Sequence, residues 1–241
     1  MIHKVFDCHL HIENGLKDYS LRHENANIIF NNVENYKKEK ANYNGYFKSL
    51  IFDYKYNYDY VLEEVLAEQV QAIKIHSRIQ KIASNDYPEL LKSLKKANQN
   101  IPIIYDAFYF GNDMVFQPSL SGLIYLAKEL PNTKFIVAHA GGYKVLEYFF
   151  HLRELKNVAY DLSFSLQYLM DSSCNIDFIK LIKYTPKEKL FFGSDFPFSD
   201  PTIQYNNLLD ILTNLNVSTE QIEAIFTTNW LNYTLNRNDT I

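Results

Sequence analysis

The first apolar run of the chain ends in Asp7-Cys8-His9-Leu10-His11. In an extended strand successive side chains point to opposite faces, so Asp7, His9 and His11 are predicted to share one face. The other face is apolar and is predicted to pack against helices, with Cys8 in that covered layer. Two imidazoles on one rigid element are good ligands for zinc and similar first-row metals. The stretch therefore predicts a strand with a metal-binding pair; the alternative is a polar strand edge with two solvated histidines.

Composition places the chain among ordinary soluble globular proteins. It has 241 residues, of which 47% are hydrophobic and 22% charged, and its net charge of −4 gives no support for nucleic acid or an anionic membrane as a partner. Two cysteines provide no disulfide framework, and no apolar stretch approaches the length of a membrane span. The N-terminus enters a strand at once, which leaves no room for a signal peptide. We expect a cytoplasmic protein that acts on a small molecule, and a homo-oligomer is left open.

Short apolar runs alternate with segments of helical periodicity, a pattern typical of a parallel sheet with crossover helices. Eight strands are predicted, at 4–9, 26–31, 46–53, 71–76, 101–107, 134–139, 157–162 and 189–194. No linker or repeat divides the sequence, so a single α/β domain over residues 1–241 is expected. Eight strands indicate a (β/α)₈ TIM barrel. The alternative is an open doubly wound sheet, but no glycine-rich phosphate loop follows any strand.

Helices are predicted most firmly in the later part of the chain. Asp86 with Glu89 and Ser218 with Gln221 have the spacing of capping boxes, which mark helix starts. Apolar residues recur at helical spacing in four further segments, 121–130, 142–155, 175–184 and 204–214. Residues 13–25 and 32–45 are polar and rich in asparagine, so the first two crossovers are expected to be reduced to short helices or loops.

Polar side chains stand at the ends of the later strands, where a barrel places its catalytic groups. They are Lys74 and His76 on the fourth strand, Asp106 on the fifth, His139 on the sixth, Asp161 on the seventh and Asp195 on the eighth. A buried unpaired charge is costly, so we expect these groups to be partnered or bound to metal. Each has a structural alternative: Lys74 could pair with a carboxylate, His76 could be a hydrogen-bonded core histidine and Asp161 could cap a loop. For Asp161 we prefer this structural role.

Taken together, these motifs resemble the amidohydrolase superfamily, and specifically the amidohydrolase-related branch that includes aminocarboxymuconate semialdehyde decarboxylase and lactone-hydrolysing relatives. The similar segments are the opening motif at 7–11, Ile-Lys-Ile-His at 73–76, Phe-Ile-Val-Ala-His-Ala-Gly-Gly at 135–142, Phe-Gly-Ser-Asp-Phe-Pro at 192–197 and the terminal helix at 225–231. The resemblance covers nearly the whole chain, although residues 13–70 match only in outline. It implies a metal-dependent TIM-barrel enzyme.

The resemblance also implies roles for individual residues. His9, His11 and Asp195 become ligands of one divalent metal ion, zinc first and manganese second, and His139 becomes an acid/base histidine that faces the metal. One departure concerns the end of the fifth strand, where the family usually has a metal-binding histidine and this chain has Asp106. An aspartate binds zinc or manganese through oxygen, so Asp106 is expected as a further ligand, the alternative being a lost or exchanged metal.

The reaction expected from this site is hydrolysis of a small-molecule amide, ester or lactone by metal-activated water. Asp195 would move the proton, His139 would polarise the substrate carbonyl, and Lys74 with His76 would bind an acidic group such as a carboxylate. Non-oxidative decarboxylation uses almost the same residues and is the first alternative. The second is an inactive barrel that serves as a binding protein. A phosphoesterase of the deoxyribonuclease type is disfavoured because no fourth-strand glutamate is present.

Overall fold

The computed structural model describes residues 4–12, 15–16, 18–21, 23–97 and 100–235. All eight predicted strands are present and each is parallel to the next, in the order β1 to β8. Their bounds are β1 Val5–Leu10, β2 His23–Phe30, β3 Phe47–Ile51, β4 Ala72–Ile75, β5 Ile103–Asp106, β6 Phe135–Ala138, β7 Val158–Asp161 and β8 Leu190–Phe191. This is the (β/α)₈ barrel that the alternation of apolar runs and helical segments predicts.

The barrel closes through the chain that follows β8. That strand has only two residues and ends earlier than predicted, but residues 192–196 continue beside β1. The hydrogen bonds run from Cys8 N to Phe192 O at 3.0 Å, from Asp195 N to His9 O at 2.7 Å and from His11 N to Phe196 O at 2.8 Å. Asp195 is therefore fixed next to β1 by its own backbone.

Helices follow most strands and cover the outside of the barrel. Their bounds are α1 Val33–Glu39, α2 Tyr58–Leu66, α3 Ser77–Gln80, α4 Tyr87–Ala97, α5 Leu120–Glu129, α6 Val145–Leu152, α7 Ser165–Tyr168, α8 Cys174–Tyr184, α9 Pro201–Asn214, α10 Thr219–Thr227 and α11 Asn229–Leu235. Between β1 and β2 the described residues contain no helix, as expected for a reduced first crossover; residues 13, 14, 17 and 22 lie outside the described part. None of the helices described is both long and apolar enough to cross a membrane.

The two predicted helix caps have different outcomes. Ser218 Oγ accepts a hydrogen bond from Gln221 N at 3.3 Å, which confirms the cap of α10. The capping box predicted from Asp86 and Glu89 is wrong. Asp86 instead accepts a hydrogen bond from Ala83 N at 2.8 Å, because it ends a short 3₁₀ turn that leads directly into α4.

Buried side chains form two groups, one outside the barrel wall and one inside it. The inner group joins side chains from different strands, among them Ile104 on β5 and Ile136 on β6, and it also contains Cys8. Trp230 of α11 stacks on Phe6 with ring centroids 5.0 Å apart, which closes the end of the barrel where β1 begins. Cys8 was predicted to face the helices, and that prediction is wrong.

The physical reason is a break in the alternation of β1. The pairing of β1 with β2 shifts register between Asp7 and Leu10, so the strict two-residue period fails there. Cys8 therefore joins the inner group whereas Leu10 joins the outer one. The same break separates Asp7 from the two histidines: its carboxylate accepts hydrogen bonds from Tyr19 Oη at 2.7 Å and Ser194 Oγ at 2.5 Å.

Candidate metal centre

His9, His11 and Asp195 meet at the end of the barrel where the strands terminate. His9 Nε2 and His11 Nε2 each lie 3.3 Å from Asp195 Oδ1. One ligand atom from each residue lies within 4.8 Å of the others, and all three residues are buried. The residues predicted from the first and last strands are thus close enough to bind a common ion.

The contacts of His9 determine which of its nitrogens is free. His9 Nδ1 lies 2.5 Å from Asp161 Oδ2, so this nitrogen carries the proton. Lys74 Nζ lies 3.3 Å from His9 Nε2, and an ammonium group can only donate. His9 Nε2 is therefore an acceptor, and Lys74 is its present donor. Burial, followed by the effect of Lys74, lowers the pKa of His9 from 6.5 to about 4, which keeps the ring neutral near pH 7.

His11 has the same arrangement. Its Nδ1 lies 2.9 Å from the carbonyl oxygen of Ile29, which can only accept, so Nδ1 carries a proton and Nε2 is the nitrogen that faces Asp195. The Nε2 atoms of His9 and His11 and the Asp195 carboxylate then face one another, and imidazole nitrogen with carboxylate oxygen is a donor set that zinc accepts. Two ligand atoms that are each about 2.0–2.1 Å from a tetrahedral zinc ion lie about 3.3 Å apart. The donor set and its spacing therefore fit a divalent metal.

Asp161 and Ser163 hold the histidines in place. Asp161 accepts a hydrogen bond from Ser163 N at 2.8 Å, which is the predicted loop cap, but it also binds the His9 ring. Ser163 Oγ lies 3.0 Å from Asp161 Oδ2, 3.2 Å from His9 Nδ1 and 3.1 Å from His139 Nδ1. Gly193 makes room for this contact, because a Cβ there would lie 2.7 Å from Asp161 Oδ1. A second carboxylate of this kind fixes the tautomer of a metal-binding histidine.

Asp106 has a different set of partners. Its Oδ2 lies 3.5 Å from His76 Nε2, 3.5 Å from His139 Nε2 and 3.8 Å from Lys74 Nζ, and its Oδ1 lies 3.4 Å from Arg78 Nη2. Burial would raise the pKa of Asp106, but His76, His139 and Lys74 outweigh burial and hold this pKa well below its usual range. Among the described residues, the group within 4.8 Å contains His9, His11 and Asp195 but not Asp106. The structure therefore places the predicted fourth ligand among basic side chains.

Backbone strain is concentrated around the site. His139, Phe164 and Asp195 have positive φ angles of 59°, 61° and 62°. Positive φ costs a non-glycine residue on the order of 1–3 kcal/mol, and such residues cluster at functional sites. His139 also lies between two acids: burial would lower its pKa, but Asp195 and Asp106 outweigh burial and raise it. His139 is thus placed to carry a proton near the cluster.

A pocket with a volume of ≈ 530 Å³ opens over these residues. Its polar side includes His11, Lys74, His76, Asp106 and Asp195. The rest of its wall is mainly aromatic, formed by Phe108, Phe110, Phe164, Tyr168 and Phe198. Concave sites of this size, apolar with a few polar groups, bind small molecules. The two predicted substrate contacts, Lys74 and His76, thus share one pocket with His11, Asp106 and Asp195.

Sequence reasoning missed Arg78, Ser163 and the aromatic wall. The role of Asp161 beside the histidines could have been predicted, since Asp161 ends a strand in the same layer as Asp106 and His139. No sequence pattern indicated a role for Arg78, because it follows the strand end by three residues and falls within the short helix α3. Phe164 and Tyr168 were two aromatic residues among 36 phenylalanines and tyrosines in the chain.

His76 is expected to make the metal-free protein sensitive to acid. Burial lowers its pKa from 6.5 to about 4; Asp106 opposes this, whereas Lys74, Arg78 and His139 add to it. In the unfolded chain His76 is protonated below about pH 6.5, whereas in the folded chain it is protonated only below about pH 4. The contribution of neutral His76 to the free energy of unfolding is thus fully present above pH 6.5, and the free energy of unfolding falls by about 3 kcal/mol as the pH drops to about 4.

Urea unfolding of the wild type and of His76→Gln across this pH range measures the effect. The wild type should lose about 3 kcal/mol more than the variant between about pH 7.5 and about pH 4. His151→Gln is the control, because His151 is exposed on α6 and should keep the wild-type pH dependence. Equal losses in the wild type and His76→Gln would contradict the prediction.

The fold and the site together define a (β/α)₈ barrel with two histidines and an aspartate at its mouth. A model of the amidohydrolase family matches residues 57–229, which is well over half of the chain. The chain belongs to the amidohydrolase family. No curated protein matches it.

Solved structures share the fold at low sequence identity. Dihydroorotase from Saccharomyces cerevisiae, in complex with 5-fluoroorotic acid, has a TM-score of 0.66 at 13% identity, over 97% of this chain and 84% of that chain. 2,6-Dihydroxybenzoate decarboxylase from Rhizobium has a TM-score of 0.60 at 11% identity, over 97% of this chain and 98% of that chain. An inactive dihydroorotase-like domain of a Chaetomium thermophilum multifunctional protein has a TM-score of 0.62 at 12% identity, over 88% of this chain and 70% of that chain. At these identities the likeness concerns the fold.

Proposed function

We propose that the protein is a metal-dependent hydrolase of a small-molecule amide, ester or lactone. The observation that supports this most strongly is the convergence of His9 Nε2 and His11 Nε2 on Asp195 Oδ1, each at 3.3 Å. These residues would hold one divalent ion, zinc in the first place and manganese in the second. Such an ion, when bound, supplies Lewis-acid activation of water near neutral pH. Three protein ligands with an open position are typical of catalytic zinc sites.

The side chains divide the remaining work between them. Asp195 accepts the proton of the attacking water and then delivers it to the leaving group. His139, whose pKa is raised by the two nearby acids despite its burial, donates a hydrogen bond to the substrate carbonyl and stabilises the developing negative charge. Lys74 and His76 bind an acidic substrate group. Asp106 as a further ligand stays a prediction; as it stands, its carboxylate is the counter-charge of the basic side chains around it.

Decarboxylation is the second candidate, and the composition of the pocket favours it. An aromatic wall beside basic groups fits an unsaturated carboxylic acid as well as it fits a lactone. The names of the similar structures include both a dihydroorotase and a decarboxylase of 2,6-dihydroxybenzoate. A catalytically inactive barrel is the remaining alternative, as the inactive dihydroorotase-like domain illustrates.

Metal content followed by a substrate screen tests the proposal. After supplementation and dialysis, elemental analysis should find about one equivalent of zinc or manganese in the wild type and His151→Asn, and almost none in His11→Asn. Less than half an equivalent in the wild type would favour the inactive barrel. The metal-loaded protein is then assayed with lactones, cyclic amides and esters, and with aromatic acids for release of carbon dioxide. Turnover only of phosphate esters or DNA would contradict both candidates.

A further inference from the structure

Arg78 lies in the pocket wall three residues beyond the end of β4, and it makes a single hydrogen bond to the described part of the protein. A guanidinium group has five N–H donors. Within the described residues Arg78 makes one hydrogen bond, from Nη2 to Asp106 Oδ1, and at 3.4 Å it is longer than a charge-assisted bond usually is. Arg78 Nε is buried and has no partner there. An unpaired buried donor in a pocket wall indicates that the pocket receives an acceptor.

Asp106 neutralises Arg78 only in part, because its carboxylate is shared with other side chains. The same carboxylate has Lys74 Nζ at 3.8 Å and the rings of His76 and His139 at 3.5 Å. One carboxylate thus serves Lys74, Arg78 and the two histidines, of which His76 is neutral near pH 7, and none of the four contacts reaches the 2.7–2.9 Å typical of an ionised pair. The Arg78 side of the pocket therefore favours an additional negative charge.

The same pocket has an aromatic wall. Phe164 and Tyr168 stack with centroids 4.9 Å apart and planes inclined by 19°, and Phe108 lies edge-on to Phe164 at 5.0 Å. Phe110 lies beneath the Arg78 guanidinium, with 5.9 Å between Cζ and the ring centroid.

The backbone at Phe164 supports a functional role for this wall. Its φ of 61° and ψ of −51° belong to the rare γ-turn with positive φ, closed by a hydrogen bond from Ser165 N to Ser163 O at 2.6 Å. This turn directs Phe164 against Phe108 and His139. A strained turn that presents an aromatic side chain to the site is the kind of strain found where ligands bind.

We propose that Arg78 determines substrate specificity: it is the main partner of the acidic substrate group that Lys74 and His76 also face, in the first place a carboxylate, in a substrate whose flat apolar body lies along Phe108, Phe164 and Tyr168. This anionic group is distinct from the bond that the metal centre would attack. The inference rests on the proposed function, because it assigns the substrate class of the same pocket. It predicts that neutral analogues of the same shape bind more weakly.

A pair of probes with the same shape and different charge tests the role of Arg78. Isothermal titration calorimetry compares 2-naphthoate with 2-naphthamide, on the zinc-loaded and on the metal-free protein. In the wild type the acid should bind at least about tenfold more tightly than the amide in both forms, since a charge-assisted pair is lost with the amide. In Arg78→Met this ratio should fall to within about twofold, and Arg78→Lys should keep part of it.

Arg153→Met is the matched control. Arg153 Cζ lies 5.6 Å from the centroid of Phe150, a stacking like that of Arg78 on Phe110, but outside the pocket. This variant should keep the wild-type ratio, whereas Tyr168→Ala should weaken the binding of acid and amide by a similar factor. An unchanged ratio in Arg78→Met, or no binding of 2-naphthoate to the wild type, would overturn the inference.

Failure of this inference is distinguishable from failure of the proposed function. If the protein binds about one metal ion and turns over anionic and neutral substrates in the same ratio in the wild type and in Arg78→Met, the hydrolase stands and the role of Arg78 is refuted. If metal is absent but the acid is still preferred through Arg78, the pocket is an acid-binding site and the hydrolase is refuted.

Discussion

Asp195→Asn is expected to lower turnover by about 10²–10⁴-fold, whichever reaction the substrate screen identifies. An amide cannot accept the proton of the attacking group and pass it on. It also removes the one negative charge between His9 Nε2 and His11 Nε2, which lie 3.3 Å from Asp195 Oδ1. Steady-state kinetics of the metal-loaded variant, with its metal content measured in the same preparation, separate these two causes. Retained metal with lost turnover assigns the effect to proton transfer.

Asp200→Asn is the matched control for this prediction. Asp200 is five residues further along the chain and caps α9 by accepting hydrogen bonds from Thr202 N at 2.8 Å and Ile203 N at 3.1 Å. Asparagine caps helices about as well as aspartate does, so this variant should keep both stability and activity. Activity of Asp195→Asn within a few-fold of the wild type would remove Asp195 from the mechanism.

Asp106→Asn is expected to destabilise the protein by about 3–5 kcal/mol, because removing one partner of a buried ion pair leaves the other charges uncompensated. Lys74 and Asp106 are both almost completely buried, and Arg78 and His139 depend on the same carboxylate. Such a loss is a large part of the total stability of a typical domain. The free energy of unfolding from urea titration at neutral pH measures it.

A surface pair provides the comparison. Lys81 Nζ lies 3.6 Å from Asp113 Oδ2, and both side chains are about half exposed. Asp113→Asn should therefore cost only about 0–1 kcal/mol. A loss below about 1 kcal/mol in Asp106→Asn would show that its carboxylate is not needed as a counter-charge. Metal content of the same variant tests the ligand role: unchanged binding leaves His9, His11 and Asp195 as the ligands.

The strand ends were predictable because they obey a local rule. An apolar run of four to six residues followed by a polar side chain, as at Asp106 and His139, can be recognised in each strand separately. Parallel strands all end at one mouth of a barrel, so these separate signals converge. The family resemblance and the barrel are confirmed by the family match and by the eight strands.

The failures share a physical cause as well. The inward turn of Cys8 depends on a register shift between β1 and β2, which the sequence of β1 does not contain. The hydrogen bond from His9 to Asp161 spans 152 positions, so its existence depends on how the barrel closes. Arg78 gains its significance from Asp106 and Phe110, neither of which lies near it in the sequence.

By itself the sequence determined the alternation of strands and helices and the chemical identity of the groups at each strand end, because periodicity and side-chain chemistry are local properties. The tertiary structure decided which of those groups meet. It placed Asp195 with His9 and His11, and it surrounded Asp106 with basic side chains. Distances of a few ångströms between residues far apart in the chain are set by barrel closure, and these distances separate a candidate metal ligand from a counter-charge.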